Sequence, residues 1–291
     1  MKIPNEIQEY LDEKVDSDSK LALIGCRATN SEISYGCCEY DIAVLGTNDL
    51  DLGNKVTYLR SSTLEFLNFP NYSHHDISLF NMIELESKAT YHLLKSPRSI
   101  PKVDVKGMFI AGGKKKVVDS LFRVSKKTNK IELNSALNLK IAAYNLIEGI
   151  LLISKTRPMP IHELNQLRQL EIHKDFINEA IQACIECLGI ERATRTIINR
   201  SIKPMKEILK ERYDIELLSS KIQFLLEHGL LADCYYYIGK LVCKHLENKD
   251  HAFQINYHKL NTIALDLTSD YEYINKMSEL LKLCCKKILK N

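Results

Sequence analysis

The hydrophobic period of this chain changes once, and that change constrains the fold more than any figure of composition. Ahead of Gly112-Gly113, apolar residues come in short runs bounded by turn-forming residues: Lys20–Ile24, Glu39–Leu45, Val56–Leu59, Leu64–Leu67, Asp76–Phe80 and Val103–Ile110. Runs of that length and pattern predict strands. The runs at Val56 and Leu64 are joined by Arg60-Ser61-Ser62-Thr63, which predicts a hairpin. Two helices are expected in the same half, over 4–15 and from about Ile83 to Leu94. From Lys114 onward apolar residues recur at helical spacing, and helices are predicted over 114–126, 133–154, 161–171, 175–188, 205–228, 231–247 and 270–289. Breaks are expected at Arg157–Pro160, at Ser201–Pro204 and at Glu247–Asp250, with Pro204 in the first turn of a helix, where its missing N–H costs nothing. The expected fold class is α+β. A small mixed β-sheet domain occupies 1–113, a basic linker helix 114–132 and an all-α helical bundle 133–291.

A chain of 291 residues suits two ordinary domains. With 45% hydrophobic and 26% charged residues it has enough apolar material for a core without metal or disulfide. A formal charge of +3 is too small to argue for nucleic acid by itself. The longest near-apolar run, Ile141–Ile153, is interrupted by Asn145 and Glu148, so no membrane span is expected. The start, MKIPNEIQEYLDEK, is acidic and amphipathic, unlike a signal peptide. Nine cysteines, an odd number with adjacent pairs at Cys37-Cys38 and Cys284-Cys285, point to reduced thiols and a cytoplasmic location.

The stretch that carries chemistry is Ile24–Leu45. An apolar run ends in Gly25-Cys26, a polar loop follows, and the next apolar run begins Glu39-Tyr40-Asp41. Side chains two apart on a strand point the same way, so Glu39 and Asp41 share a face. Asp76, at the start of another strand run, is expected to join them. Oxygen-only donors suit Mg²⁺ or Mn²⁺, which take one or two carboxylates together with substrate phosphates. Gly25 permits close backbone approach, and Cys26 and Arg27 are candidate phosphate donors. An isolated E-x-D is otherwise an ordinary wet strand face.

In combination these residues resemble the signature of the DNA polymerase β-like nucleotidyltransferase superfamily: a hydrophobic residue, Gly, Ser or Gly, a loop, then D-x-D on the next strand. Ile24-Gly25-Cys26 matches the turn, with Cys where Ser is usual. Glu39-Tyr40-Asp41 matches the D-x-D, with Glu first, as in relatives resembling cyclic GMP-AMP synthase. Asp41–Leu45 is similar to the D-L-A-V-L of minimal nucleotidyltransferases, and Asp76–Asn81 resembles the strand of the third carboxylate. The resemblance covers about 20–95. It implies that Glu39, Asp41 and Asp76 hold two Mg²⁺ ions and that Gly25-Cys26 contacts the β- and γ-phosphates of a nucleoside triphosphate. It further implies transfer of a nucleoside monophosphate to an acceptor hydroxyl (on a small molecule, a protein or RNA) received between the two domains, with release of pyrophosphate. A second register, with Asp41 first and Ala43 second, would make the chain an inactive relative. In that alternative the helical half serves as a partner-docking or homodimerisation surface, as in antitoxin-like minimal nucleotidyltransferases.

Two further features are read both ways. Glu148 is the one charge between Ile141 and Ile153. It is either the base on the acceptor hydroxyl, as in relatives resembling the aminoglycoside-modifying enzymes, with its pKa raised by burial, or a core-edge carboxylate paired with Lys or Arg. Lys114, Lys115, Lys116, Arg123, Lys126, Lys127 and Lys130 form either a strip for triphosphate or RNA or the solvated face of a helix that packs through Val117, Leu121 and Val124.

Overall fold

The computed structural model describes residues 3–15, 20–28, 34–45, 56–69, 92–93, 106–125, 134–171 and 174–290. The chain divides into two compact units between Phe109 and Ile110. The fold is α+β: a small mixed sheet followed by a largely helical region.

The first unit opens with α1 (Asn5–Lys14), followed by β1 (Lys20–Ile24), β2 (Tyr40–Leu45), β3 (Val56–Tyr58), β4 (Thr63–Phe69) and β5 (His92–Leu93). Their order across the sheet is β3-β4-β2-β1-β5. The expected hairpin is present, with Val56 opposite Glu65 and Tyr58 opposite Thr63. β1 runs antiparallel to β2, with Ile24 opposite Asp41, while β2 and β4 run parallel, with Asp41 opposite Glu65. Alternation then sorts the side chains. Leu21, Leu23, Ile42, Val44, Leu64 and Phe66 share one face and bury against Ile7 and Leu11 of α1. Asp41 and Glu65 therefore fall on the opposite face.

The second unit holds most of α2 (Lys106–Ser125) and all of α3 (Ser135–Ile153), α4 (Glu163–Gln169), α5 (Asp175–Leu188), α6 (Arg195–Leu209), α7 (Ile215–Glu227), α8 (Leu231–Glu247), α9 (His251–Asn256), α10 (His258–Leu265) and α11 (Tyr271–Lys290). Side chains set several starts. Thr194 accepts from the Ile197 N–H at 3.3 Å, Asp214 from Leu217 at 2.8 Å and Asp250 from Phe253 at 2.7 Å. α5 stops at Gly189, whose left-handed backbone (φ 69°) closes the last turn. α3 is the axial helix, packed by α5, α8 and α11. It is apolar and long enough to cross a membrane, with mean hydropathy 1.5 over its best window, contrary to expectation. However, 78% of that window is buried against the protein, as in a core helix.

Four sequence expectations are corrected. Val103–Ile110 is not a strand at its described end, because α2 already runs from Lys106. Gly112 and Gly113 lie within that helix, and Gly113 is where α2 crosses α3. A Cβ on it would stand 2.8 Å from the Gly149 carbonyl oxygen and 2.9 Å from the Ile153 nitrogen. The helix expected over Ile83–Leu94 is overturned at its described end, since His92 and Leu93 pair with Leu23 and Ala22 as an edge strand, and 83–91 lies outside the described residues. Finally, Ser201–Pro204 is no break. Pro204 sits inside α6, and the true interruption of the predicted 205–228 helix is 210–214. The run Asp76–Phe80 lies outside the described residues.

Candidate metal centre

The turn after β1 explains its glycine. Gly25 has φ +72°, which L side chains seldom adopt, and a Cβ placed there would collide with the Asp41 carboxylate. The register that sets Ile24 opposite Asp41 forces this closeness. Only hydrogen at position 25 lets the second carboxylate of the E-x-D lie against the turn.

Three carboxylates converge beside it. Oxygens of Glu39, Asp41 and Glu65 all lie within 4.8 Å of one another. Glu39 immediately precedes β2 and is 8% exposed. Asp41 and Glu65 are partly exposed and occupy paired positions on parallel neighbours. Among the described residues, Glu65 is the carboxylate that joins the E-x-D, whereas Asp76 lies outside them. The sequence held a signal for Glu65, a carboxylate between the buried Leu64 and Phe66. What it did not show was that β4 passes beside β2. The donor set fits a hard divalent cation, because all three donors are oxygen and their separations match a shared ion.

The other turn residues are turned to different work. Cys26 is 8% exposed, and its thiol is in hydrogen-bond contact with that of Cys38. That contact, with burial and the nearby Asp41 and Glu39 charges, pushes the Cys26 thiol far above its usual range. Arg27 lies in the short 3₁₀ turn Cys26–Ala28. Its Nε donates to the Cys38 carbonyl at 3.2 Å, and its Nη2 to the same oxygen at 2.9 Å and to that of Gly36 at 3.4 Å.

Glu148 belongs to the helical unit. Its oxygens pair with Lys116 at 3.1 Å and with Lys240 at 3.0 Å. Burial pushes its pKa up, as expected, but Lys240 and Lys116 outweigh burial and hold it at about 2. The expectation of a raised pKa is therefore overturned: a carboxylate this acidic is a poor proton acceptor near neutrality. Lys240 continues inward to Glu163 at 3.2 Å, which accepts from Tyr236 at 2.6 Å. In the basic strip, Lys116 is bound to Glu148 and Arg123 to Glu247 at 2.9 Å, while Val117 and Val124 are buried. Lys114 and Lys115 are exposed, and 126–130 lies outside the described residues. Cys184 and Cys187 are buried thiols of α5, and the nine cysteines are thiols, not disulfides.

Comparison with protein-family models, with curated proteins and with solved structures found no match for this chain.

Proposed function

We propose that the chain is a Mg²⁺- or Mn²⁺-dependent nucleotidyltransferase that uses Glu39, Asp41 and Glu65 as its metal ligands. The observation that carries this reading is the convergence of three carboxylates within 4.8 Å beside a glycine whose left-handed backbone and closeness to the Asp41 carboxylate strain any side chain placed there. Metal held there would supply Lewis-acid stabilisation of the triphosphate and of the attacking oxygen. The chain's own part is to hold three oxygens at one point, with Gly25 making room for the Asp41 carboxylate. The acceptor hydroxyl loses its proton to solvent water, its oxygen bonds to the α-phosphorus, and the bond to the bridging oxygen breaks to release pyrophosphate. Glu148 is not retained as the base, because its two lysine partners keep it ionised and occupied.

Incubation of the full chain with labelled nucleoside triphosphates and Mg²⁺ or Mn²⁺ tests the proposal, read as metal-dependent nucleotide binding and as pyrophosphate release. Asp41→Asn and Glu65→Gln are expected to lower both at least tenfold while leaving the fold intact. If wild type neither binds nucleotide in a metal-dependent way nor releases pyrophosphate, the proposal fails. The orientation of Cys26 and Arg27 away from a phosphate-binding role favours a second reading, a metal- and nucleotide-binding relative that does not turn over. Binding without pyrophosphate release is the outcome that selects it.

A further inference from the structure

Glu39 is the ligand with the least backbone support. Ladder pairing begins at Tyr40, and Glu39 lies with Cys38 in the irregular stretch between the Gly36-Cys37 turn and the strand. Its side chain is also one methylene longer than that of Asp, so its carboxylate has more conformations to lose on binding a cation. Yet both of its neighbours are held by one side chain. Arg27 donates twice to the carbonyl of Cys38, at 3.2 and 2.9 Å, and once to that of Gly36 at 3.4 Å. Its guanidinium carbon also lies 4.9 Å from the centroid of the Tyr40 ring. A planar fork that binds one carbonyl through two nitrogens while covering an aromatic face suits Arg and not Lys. Cys26, one residue earlier, adds its thiol contact with Cys38. The turn that follows β1 is in this way fastened to the residues on both sides of Glu39.

We infer that Arg27 is the positioning residue for the Glu39 carboxylate, acting through Cys38 and Tyr40 to present it to the divalent cation, and is not a phosphate ligand. The inference rests on the metal reading above. Arg27 reduces the entropy that Glu39 loses on binding, so its removal weakens the cation without removing any ligand. Supporting contacts behind metal ligands typically carry a factor of about 10–100 in affinity.

The experiment is a Mn²⁺ titration of the full chain, followed by calorimetry and by the paramagnetic signal of free Mn²⁺, on wild type, Arg27→Met, Arg27→Lys, Glu39→Gln and the Arg27→Met/Glu39→Gln pair. Arg27→Met is expected to weaken Mn²⁺ roughly tenfold, and Arg27→Lys to fall between it and wild type. The double variant is expected to bind no more weakly than Glu39→Gln alone, because Arg27 has no effect once Glu39 is not a ligand. A general structural role would instead weaken the double variant by the product of the two single effects, and that result overturns the inference. So does an Arg27→Met variant that binds Mn²⁺ like wild type but loses affinity for a non-hydrolysable triphosphate, which would make Arg27 a phosphate ligand. Should Arg27→Met lose its circular-dichroism spectrum, Arg27→Lys replaces it in the same cycle with the same two outcomes. A wild type that binds no Mn²⁺ is a separate result, since it removes the metal site itself.

Discussion

Single residues in this protein are decided by what faces them, as Lys140 and Glu148 show. Both are ionisable groups on α3, and their pKa values fall for opposite reasons. Glu148 has two cations against it, whereas Lys140 is 6% exposed and donates to the Leu188 carbonyl at 2.8 Å and the Tyr235 hydroxyl at 3.3 Å. Burial lowers the Lys140 pKa from 10.5 to about 8. Below pH 8 folded and unfolded chains both carry the proton, and the full cost of burying the cation is present. Between pH 8 and 10.5 the unfolded chain holds more protons, so this group adds stability as pH rises, by about 1.4 kcal/mol per unit. Urea denaturation of wild type against Lys140→Met isolates the effect from the tyrosines that titrate nearby. The stability difference is expected to move in favour of wild type between pH 7.5 and 9.5, and a difference that stays flat would refute the assignment.

Elements meet at backbone distance in one place where neighbouring glycines behave differently. Gly113 and Gly149 let α2 and α3 touch main chain to main chain, and a methyl at 113 has the Gly149 carbonyl 2.8 Å away. Backbone cannot step aside as a flexible side chain can, so Gly113→Ala is expected to cost about 1–3 kcal/mol by overpacking. Gly112 has only Leu152 Cδ1, at 3.9 Å, near its missing Cβ. Gly112→Ala should be neutral or stabilise by up to about 1 kcal/mol, through helix propensity alone. Paired thermal melts of the two variants check the contrast. A glycine pair at the end of an apolar run reads as a turn, and over 106–113 the structure is helix instead: Gly113 is there for a helix crossing.

At the scale of the whole chain, each unit has its own core. The sheet buries Ile42, Val44, Leu64 and Phe66 against α1, and the helical unit is built around α3. α2 contributes Val117, Ser120 and Val124 to the buried set. A fragment covering 106–291 keeps α2 whole, and it is expected to give a helical circular-dichroism spectrum and a single cooperative urea transition. A gradual, non-cooperative transition would show that the helical unit does not fold by its own contacts.

Periodicity by itself determined the class of the fold, the switch from sheet to helices and the bounds of several elements, including Lys20–Ile24, Asp175–Leu188 and Leu231–Glu247. It also put Glu39 and Asp41 on one face, which follows from alternation along the chain, whereas Gly25 meets Asp41 through the register in which β1 pairs with β2. Tertiary structure alone decided the rest. Glu65 reaches the site because β4 runs parallel to β2, a pairing between segments that no local pattern encodes. Arg27 faces two carbonyls and Glu148 two lysines for the same reason. Period tells which side of an element a residue occupies, whereas the partner across the gap, which sets its charge and its role, comes from chain segments far away in sequence.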